Sequence, residues 1–199
     1  MKLGVLFSGG KDSTYSAFLT KNQGHKLVCL ITILSKNPDS YMFQQVSKEK
    51  IEEIANKIGL PVVFQETKGE KEKELKDLEK AIKEAKNKFK IEGIVTGAVA
   101  SNYQSFRIEN ICNKLKLICI NPLWGIDPEK YWNSLISNKF KIKIVKVAAD
   151  GLDNSWVDKV IDKKNLEKLK ELSKKFRFNL AFEGGEAETE VIGCPLFKK

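Results

Sequence analysis

Histidine is almost absent from this chain: His25 is the only one in 199 residues. Cysteine is scarce as well. Cys29, Cys112, Cys119 and Cys194 form no C-x-x-C pair, so the close ligand pairs of a structural zinc site are missing. The four thiols are expected to be reduced and mostly buried. No apolar run approaches the length of a membrane span, which excludes a spanning helix and makes a membrane partner unexpected. Residues 1–7 are too short ahead of Gly-Gly-Lys-Asp to act as a signal peptide, so a cytoplasmic location is expected. There is no internal repeat and no low-complexity linker.

Charge is plentiful. Thirty-five Lys and Arg against 26 Asp and Glu leave a formal net charge of +9. One reading is an acidic partner: ATP, RNA or a ribosome-associated protein. The other is a solvated coat. From Lys68 to Lys90 the lysines alternate with glutamates and carry few aromatics, which favours the coat over a nucleic-acid stripe. No stable nucleic-acid partner is therefore expected.

The most informative stretch is Ser8-Gly9-Gly10-Lys11-Asp12-Ser13, directly behind the apolar run Leu3–Phe7. It reads as a buried strand, a tight turn and a helix start. Unpaired N–H groups at a helix start point outward, and the dipole adds partial positive charge. Two glycines let the backbone close on a phosphate, and Lys11 adds a full charge. Asp12 and Ser13 can cap the helix, or one of them can reach a metal or phosphate. The stretch is not the common P-loop, because Val5 stands where the first glycine is required and Asp12 follows Lys11. Nor is it the dinucleotide fingerprint, because Gly9 and Gly10 are adjacent. A strand-to-helix turn without a ligand is the plainer alternative.

Hydrophobic residues make up 42% of the chain, enough for a substantial core. Strands are expected at Leu3–Phe7, Lys26–Leu34, Leu60–Gln65, Ile91–Thr96 and Leu117–Ile120. Helices are expected at 12–22, after Ser47 up to Gly59, at 73–89 and at 107–115. A polar loop with Pro38 covers Asn37–Gln45. Five alternations imply an α/β fold with a Rossmann-like, parallel five-stranded sheet over residues 1–121. Beyond Asn121-Pro122 a smaller α/β domain is expected over 122–199. Its helices are read at 128–137 and 166–176, and its strands at 141–149 and 179–182. A short connection suggests close packing with a cleft between the two parts.

Three further stretches carry polar or aromatic groups. Gly97 to Gln104 follows the fourth strand and should face the phosphate loop. Its Ser101, Asn102 and Gln104 can hydrogen-bond a nucleotide, and Arg107 can pair with a phosphate. A helix cap at Ser101 or Asn102 is the alternative. Trp124, in Pro122–Gly125, can line a pocket or simply pack. Glu183-Gly184-Gly185-Glu186-Ala187-Glu188-Thr189 places three carboxylates around two glycines. It suggests a cation, metal or proton-transfer site, against the alternative of a solvated hairpin turn.

Ser8–Ser13 resembles the SGG-K-D-S loop of the PP-loop ATP pyrophosphatases, which split ATP into AMP and pyrophosphate. In order along nearly the whole chain, five stretches resemble the diphthine–ammonia ligase (diphthamide synthase) family within that group. They are Ser8–Ser13; Gly97–Gln104 with Arg107-Ile108-Glu109 and Cys112; Pro122–Gly125 with Asp127; Val145–Ala149 with Gly151-Leu152-Asp153; and Glu183–Thr189 with Pro195-Leu196-Phe197. The chain departs from that family's usual pattern at Ser105, Pro128 and Ala187, and lacks the glycine common near Asp158.

The resemblance implies a fold of the adenine nucleotide alpha hydrolase-like (HUP) kind. It also implies ATP and Mg²⁺ as cofactors, ammonium as co-substrate, and translation elongation factor 2 carrying diphthine as protein partner. A homodimer is left open. Ser8, Gly9, Gly10, Lys11 and Ser13 would hold the α-phosphate and pyrophosphate, and Asp12 would hold Mg²⁺ or orient the loop. Gly97, Ser101, Asn102, Gln104 and Arg107 would contact the nucleotide. Trp124, Gly184, Gly185 and Thr189 would face the substrate. Glu183, Glu186 and Glu188 would bind ammonium and take its proton, or bind the trimethylammonium group of diphthine. With no N-terminal Cys and no glutaminase-like segment, free ammonia is the expected nitrogen source. Two rivals remain: a PP-loop enzyme of tRNA modification, and a non-catalytic nucleotide-binding protein of the same fold.

Overall fold

A computed structural model describes residues 1–37, 40, 42–43 and 45–198. The polar loop read over Asn37–Gln45 thus lies partly outside the described residues, Pro38 included. The chain forms two compact units. One comprises Met1–Leu123 and the segment from Leu196; the other is Trp124–Pro195. The tail therefore belongs to the first unit rather than to the 122–199 segment. Lys198 donates its backbone N–H to the Lys57 carbonyl at 2.6 Å, and the Lys57 ammonium lies 5.8 Å from the Phe197 ring centroid.

The first unit is built from β1 (Lys2–Leu6), α1 (Lys11–Asn22), β2 (Lys26–Ser35), α2 (Lys48–Ile58), β3 (Val62–Thr67), α3 (Glu74–Phe89), β4 (Gly93–Val95), α4 (Asn102–Lys114) and β5 (Ile118–Ile120). Its five strands run parallel in the order β3-β2-β1-β4-β5. From β1 the chain steps outward through β2 to β3, then crosses to β4 and β5. Right-handed crossovers then place α1 and α2 on one face and α3 and α4 on the other. Leu78, Ala81, Ile82 and Ala85 of α3 share a buried cluster with Ile108, Ile111 and Cys112 of α4 and with Cys29, Ile31, Val63 and Ile94 of the sheet. The strand order reverses between β1 and β4. Open α/β sheets bind ligands at the carboxyl edge beside such a reversal.

Local chemistry explains the helix ends. Ser47 Oγ accepts the Lys50 N–H, and Gly59 closes α2 at φ 78°. Helix α4 starts at Asn102, five residues before the expected Arg107. Its first turn, Asn-Tyr-Gln-Ser, shows no apolar period. Ser101 Oγ nevertheless caps it by accepting the Gln104 N–H.

The second unit contains α5 (Pro128–Ser137), β6 (Lys141–Val147), a 3₁₀ turn (Asn154–Trp156), α6 (Lys163–Phe176) and β7 (Ala187–Gly193). Strands β6 and β7 pair antiparallel. Trp132 is fully buried, donates Nε1–H to the Leu180 carbonyl at 2.8 Å and meets Phe182 edge-on at 5.7 Å.

The strand expected at 179–182 is a turn. Asn179 Oδ1 accepts the Ala181 N–H at 2.8 Å, the Phe182 N–H returns to the Asn179 carbonyl, and Phe182 sits at φ 61°. Its apolar side chains are buried by packing on α5, while an Asx turn takes the backbone out of the strand conformation. The strand lies later, at Ala187–Gly193, beginning inside the acidic stretch Glu183–Thr189.

Candidate active site

Strand β1 delivers residues 8–13 to the carboxyl edge of the sheet. Phe7 enters the turn tied to β2 on both sides: its N–H reaches the Ile31 carbonyl at 2.9 Å, and its carbonyl accepts from Thr32 Oγ1 at 2.8 Å. Gly9 turns at φ 76°, where a side chain would be strained and would also meet Ile54 at 3.1 Å. Helix α1 then begins with Gly10 as N-cap and no side-chain cap. Neither Asp12 nor Ser13 caps it. Ser13 Oγ instead donates to the Gly10 carbonyl at 3.2 Å, and Thr14 Oγ1 donates to the same oxygen at 2.9 Å. Ser8 joins this turn through its N–H and hydroxyl, each 3.3 Å from Ser13 Oγ. The hydroxyls thus stiffen the loop from within. The amino end keeps its dipole field without a side chain in the way.

Lys11 is only 2% exposed, and its ammonium sits on both Asp12 oxygens at 2.8 and 2.9 Å. The charge is held beside the loop by a carboxylate that is itself 30% exposed. Gly97, at the end of β4, closes the other side. A Cβ there would meet Ser13 N at 2.8 Å and Asp12 C at 2.9 Å. The structure therefore brings Gly97 against the phosphate loop, as the strand order requires.

The other residues of the 97–107 stretch are placed differently. Ser101 is a helix cap, and Asn102 is an exposed first residue of α4. Gln104 Nε2 donates to the Met42 carbonyl at 3.5 Å. Arg107 is taken by Glu72, with Nε–H to Oε1 at 2.9 Å, and stacks 3.5 Å from the Tyr103 ring centroid. Hydrogen bonds from Arg107 and Tyr103 hold the Glu72 carboxyl below its ordinary range, while burial and Glu72 raise that of the Tyr103 phenol.

Sequence reasoning missed several buried polar groups at this sheet edge. Thr96 Oγ1 bonds Asn121 Oδ1, and Asn121 Nδ2 donates to Ser105 Oγ at 3.0 Å. Ser105 Oγ in turn donates to Glu109 at 2.9 Å. Ser105 is thus a member of a network joining β4, β5 and α4. Glu74 is fully buried. Its Oε2 accepts from Ser40 Oγ at 2.6 Å, and its Oε1 has no partner among the described residues. A charged residue opening a lysine-rich helix gives no sequence signal of burial.

In the second unit the acidic stretch is divided. Glu183 to Glu186 form the turn, and Ala187 to Thr189 enter β7. The carboxylate of Glu186 accepts the Asn179 N–H at 3.0 Å and the Gly184 N–H at 2.8 Å. Glu188 pairs with Lys146 across the strands at 3.1 Å. Glu183 is half-buried, Gly184 and Gly185 are exposed, and Thr189 faces Ile144 in the ladder. Among the described residues no group of three His, Cys, Asp or Glu is placed to hold a metal ion. Trp124 is 45% exposed.

The four cysteines form no disulfide. Cys29 and Cys112 are buried, and Cys119 and Cys194 are half-buried. Burial pushes the Cys29 thiol up to about 12. Cys112 and Cys119 share a hydrogen bond that raises the former and lowers the latter. Among the described residues no helix is long and apolar enough to cross a membrane.

Comparison with known proteins identifies the family. The diphthamide synthase N-terminal domain model matches residues 1–118, and the corresponding C-terminal domain model matches residues 127–199. The human diphthine–ammonia ligase is 36% identical, covering the whole of this chain and 81% of its own length. Relatives of the same name from Schizosaccharomyces pombe and Saccharomyces cerevisiae are 34% and 30% identical over the whole chain, which spans 35% and 34% of their lengths. A solved structure from Methanocaldococcus jannaschii, titled a predicted subunit of tRNA methyltransferase, aligns over 98% of both chains. Its TM-score of 0.48 and 22% identity are too distant to bear on function. With both domain models matched in order and full-length relatives above 30% identity, the chain belongs to the diphthine–ammonia ligase family of enzymes.

Proposed function

We propose that this enzyme amidates diphthine on translation elongation factor 2, with ATP activating the carboxylate and ammonia displacing AMP. The observation that carries the reading is the amino end of α1. It is built on glycine, lacks a side-chain cap, and has Lys11 and Gly97 closed around it. A carboxylate does not react with ammonia at neutral pH, because oxide is too poor a leaving group. Attack on the α-phosphate of ATP converts it to an acyl-adenylate and releases pyrophosphate. The N–H groups of the loop and the Lys11 ammonium are suited to the charge that develops on the phosphates.

Asp12, 30% exposed and now facing Lys11 through both oxygens, would hold Mg²⁺ by exchanging that contact or else orients the loop through it; Mg²⁺ takes one or two protein carboxylates and completes its shell with phosphate and water. Bound there, Mg²⁺ would neutralise phosphate charge. For the amidation step, Glu183 and Glu188 are the candidates for holding ammonium or the trimethylammonium group. Glu186 shapes their turn, since its two oxygens already accept backbone N–H groups.

Incubation with ATP, ammonium and diphthine-bearing elongation factor 2 should yield AMP and pyrophosphate in amounts that depend on the factor. AMP formation that depends on bulk tRNA instead would favour a tRNA-modifying enzyme. No AMP with either would leave a non-catalytic nucleotide binder.

A further inference from the structure

The second unit contains a cavity of about 410 Å³ that the proposed chemistry does not use. Its walls are the first turn of α5 (Pro128, Glu129), the last turns of α6 (Lys170, Ser173, Lys174) with its C-cap Arg177, and the segment Phe178–Leu180. The lining is cationic. Lys170 is spoken for by Glu167 at 2.9 Å and Glu129 at 3.4 Å. Lys174 and Arg177 have no ion-pair partner among the described residues, and both are exposed. The one carboxylate of the lining is thus already paired, and two cations remain unmatched.

The walls are held in place by polar contacts. Ser173 Oγ donates to the Phe178 carbonyl at 2.7 Å, and Trp132 Nε1 donates to the Leu180 carbonyl. The Asn179 N–H is fixed on Glu186 at 3.0 Å. The Glu186 carboxylate therefore fastens the Glu-Gly-Gly-Glu turn to one wall of the cavity. A group docked in the cavity would lie next to the turn assigned above to the cationic end of the substrate.

We propose that this cavity docks an acidic segment of the protein substrate, with Lys174 and Arg177 receiving its carboxylates. The inference rests on the proposed reading that the substrate is a protein-borne side chain. The charge of the cavity calls for anions. It is a short, open pocket with one aromatic residue, which suits a peptide carboxylate better than a nucleic-acid strand, which needs an extended basic track and stacking platforms.

The test uses the full chain and its K174E/R177E double variant, with K164E/K168E as a control of equal charge change on the same helix outside the cavity. Binding of diphthine-bearing elongation factor 2 is measured directly by interferometry, and factor-dependent AMP release is measured in parallel. The expected result is factor binding weakened about tenfold or more in K174E/R177E, with flattened salt dependence. Nucleotide affinity and kcat should be unchanged, and the control should behave like the parent chain. Equal factor binding by parent and K174E/R177E overturns the proposal, as does an equal loss in the control. Loss of bulk tRNA binding without loss of factor binding also overturns it, by making the cavity a nucleic-acid contact. The direct binding measurement separates this failure from that of the parent reading. Absence of factor-dependent AMP from the parent chain sinks the amidation reading, while the binding comparison still decides the docking site.

Discussion

The amino end of α1 and the acidic turn before β7 are both glycine-built and both charged, yet they use their polar groups in opposite ways. At α1 the hydroxyls of Ser13 and Thr14 satisfy a carbonyl behind the loop, and no side chain caps the outward N–H groups. In the acidic turn Glu186 spends both oxygens on its own backbone, and Glu188 is paired across the strands. The first leaves its backbone donors uncapped, as the proposed phosphate site needs. The second is largely self-satisfied, and its acids serve its shape. Preorganised donors are effective because no reorganisation remains at the moment of reaction.

The contrast is open to test at four points, in descending order of effect. Lys11→Ala should lower kcat/KM for pyrophosphate release about 10²–10³-fold, the loss typical of removing one preorganised charge-stabilising group. Circular dichroism should show the fold retained. Turnover near that of the parent would remove the loop from the chemistry. Gly97→Ala should drive its Cβ into the Ser13 backbone N, 2.8 Å away, which no side-chain rotation can relieve. A loss of about 1–3 kcal/mol in thermal or denaturant unfolding is expected, as for overpacking in general, together with weaker ATP binding. Unchanged ATP affinity would mean that the loop tolerates displacement.

Glu186→Ala leaves the Asn179 and Gly184 N–H groups without their acceptor. It should cost about 1–2 kcal/mol, and hydrogen exchange should rise first at those two amides. Glu186→Gln should recover part of that loss, because its amide oxygen still accepts. If Ala and Gln lost activity equally while protection was unchanged, Glu186 would be acting on the substrate and the contrast would fail.

The smallest effect concerns Glu72, whose carboxyl is lowered chiefly by the Arg107 hydrogen bond. A carboxyl lowered in the fold stabilises above its unfolded value, about 4.3, and that contribution is lost as pH falls through the lower folded value. Glu72→Gln should therefore differ from the parent at neutral pH and converge with it in acid, read from denaturant midpoints. A difference that persisted in acid would assign the effect to packing.

Much of this was legible in the chain. Leu3–Phe7 followed by Gly9-Gly10 announced a strand and a tight glycine turn into a helix. Ser47 and Gly59 bounded α2 as their capping chemistry requires. The α4 start was hidden because a polar first turn has no hydrophobic period, and its cap, Ser101, also read as a ligand residue. The segment 179–182 misled because burial of Leu180, Ala181 and Phe182 looks the same in sequence whether a strand or an Asx turn produces it. Glu188 read as part of an acidic cluster because its partner, Lys146, is 42 residues away.

By itself, the sequence determined the alternation of strands and helices, the glycine turn, the caps and the family's blocks of residues. These depend on neighbours within a turn or two, where propensity and local hydrogen bonding decide. The tertiary structure alone decided that Arg107 goes to Glu72, that Glu74 is buried against Ser40, and that Glu186 fastens Asn179. Each of these is a competition among distant partners for one charged or polar group. Its outcome depends on which of them the sheet, or the packing of the second unit, brings within hydrogen-bond reach.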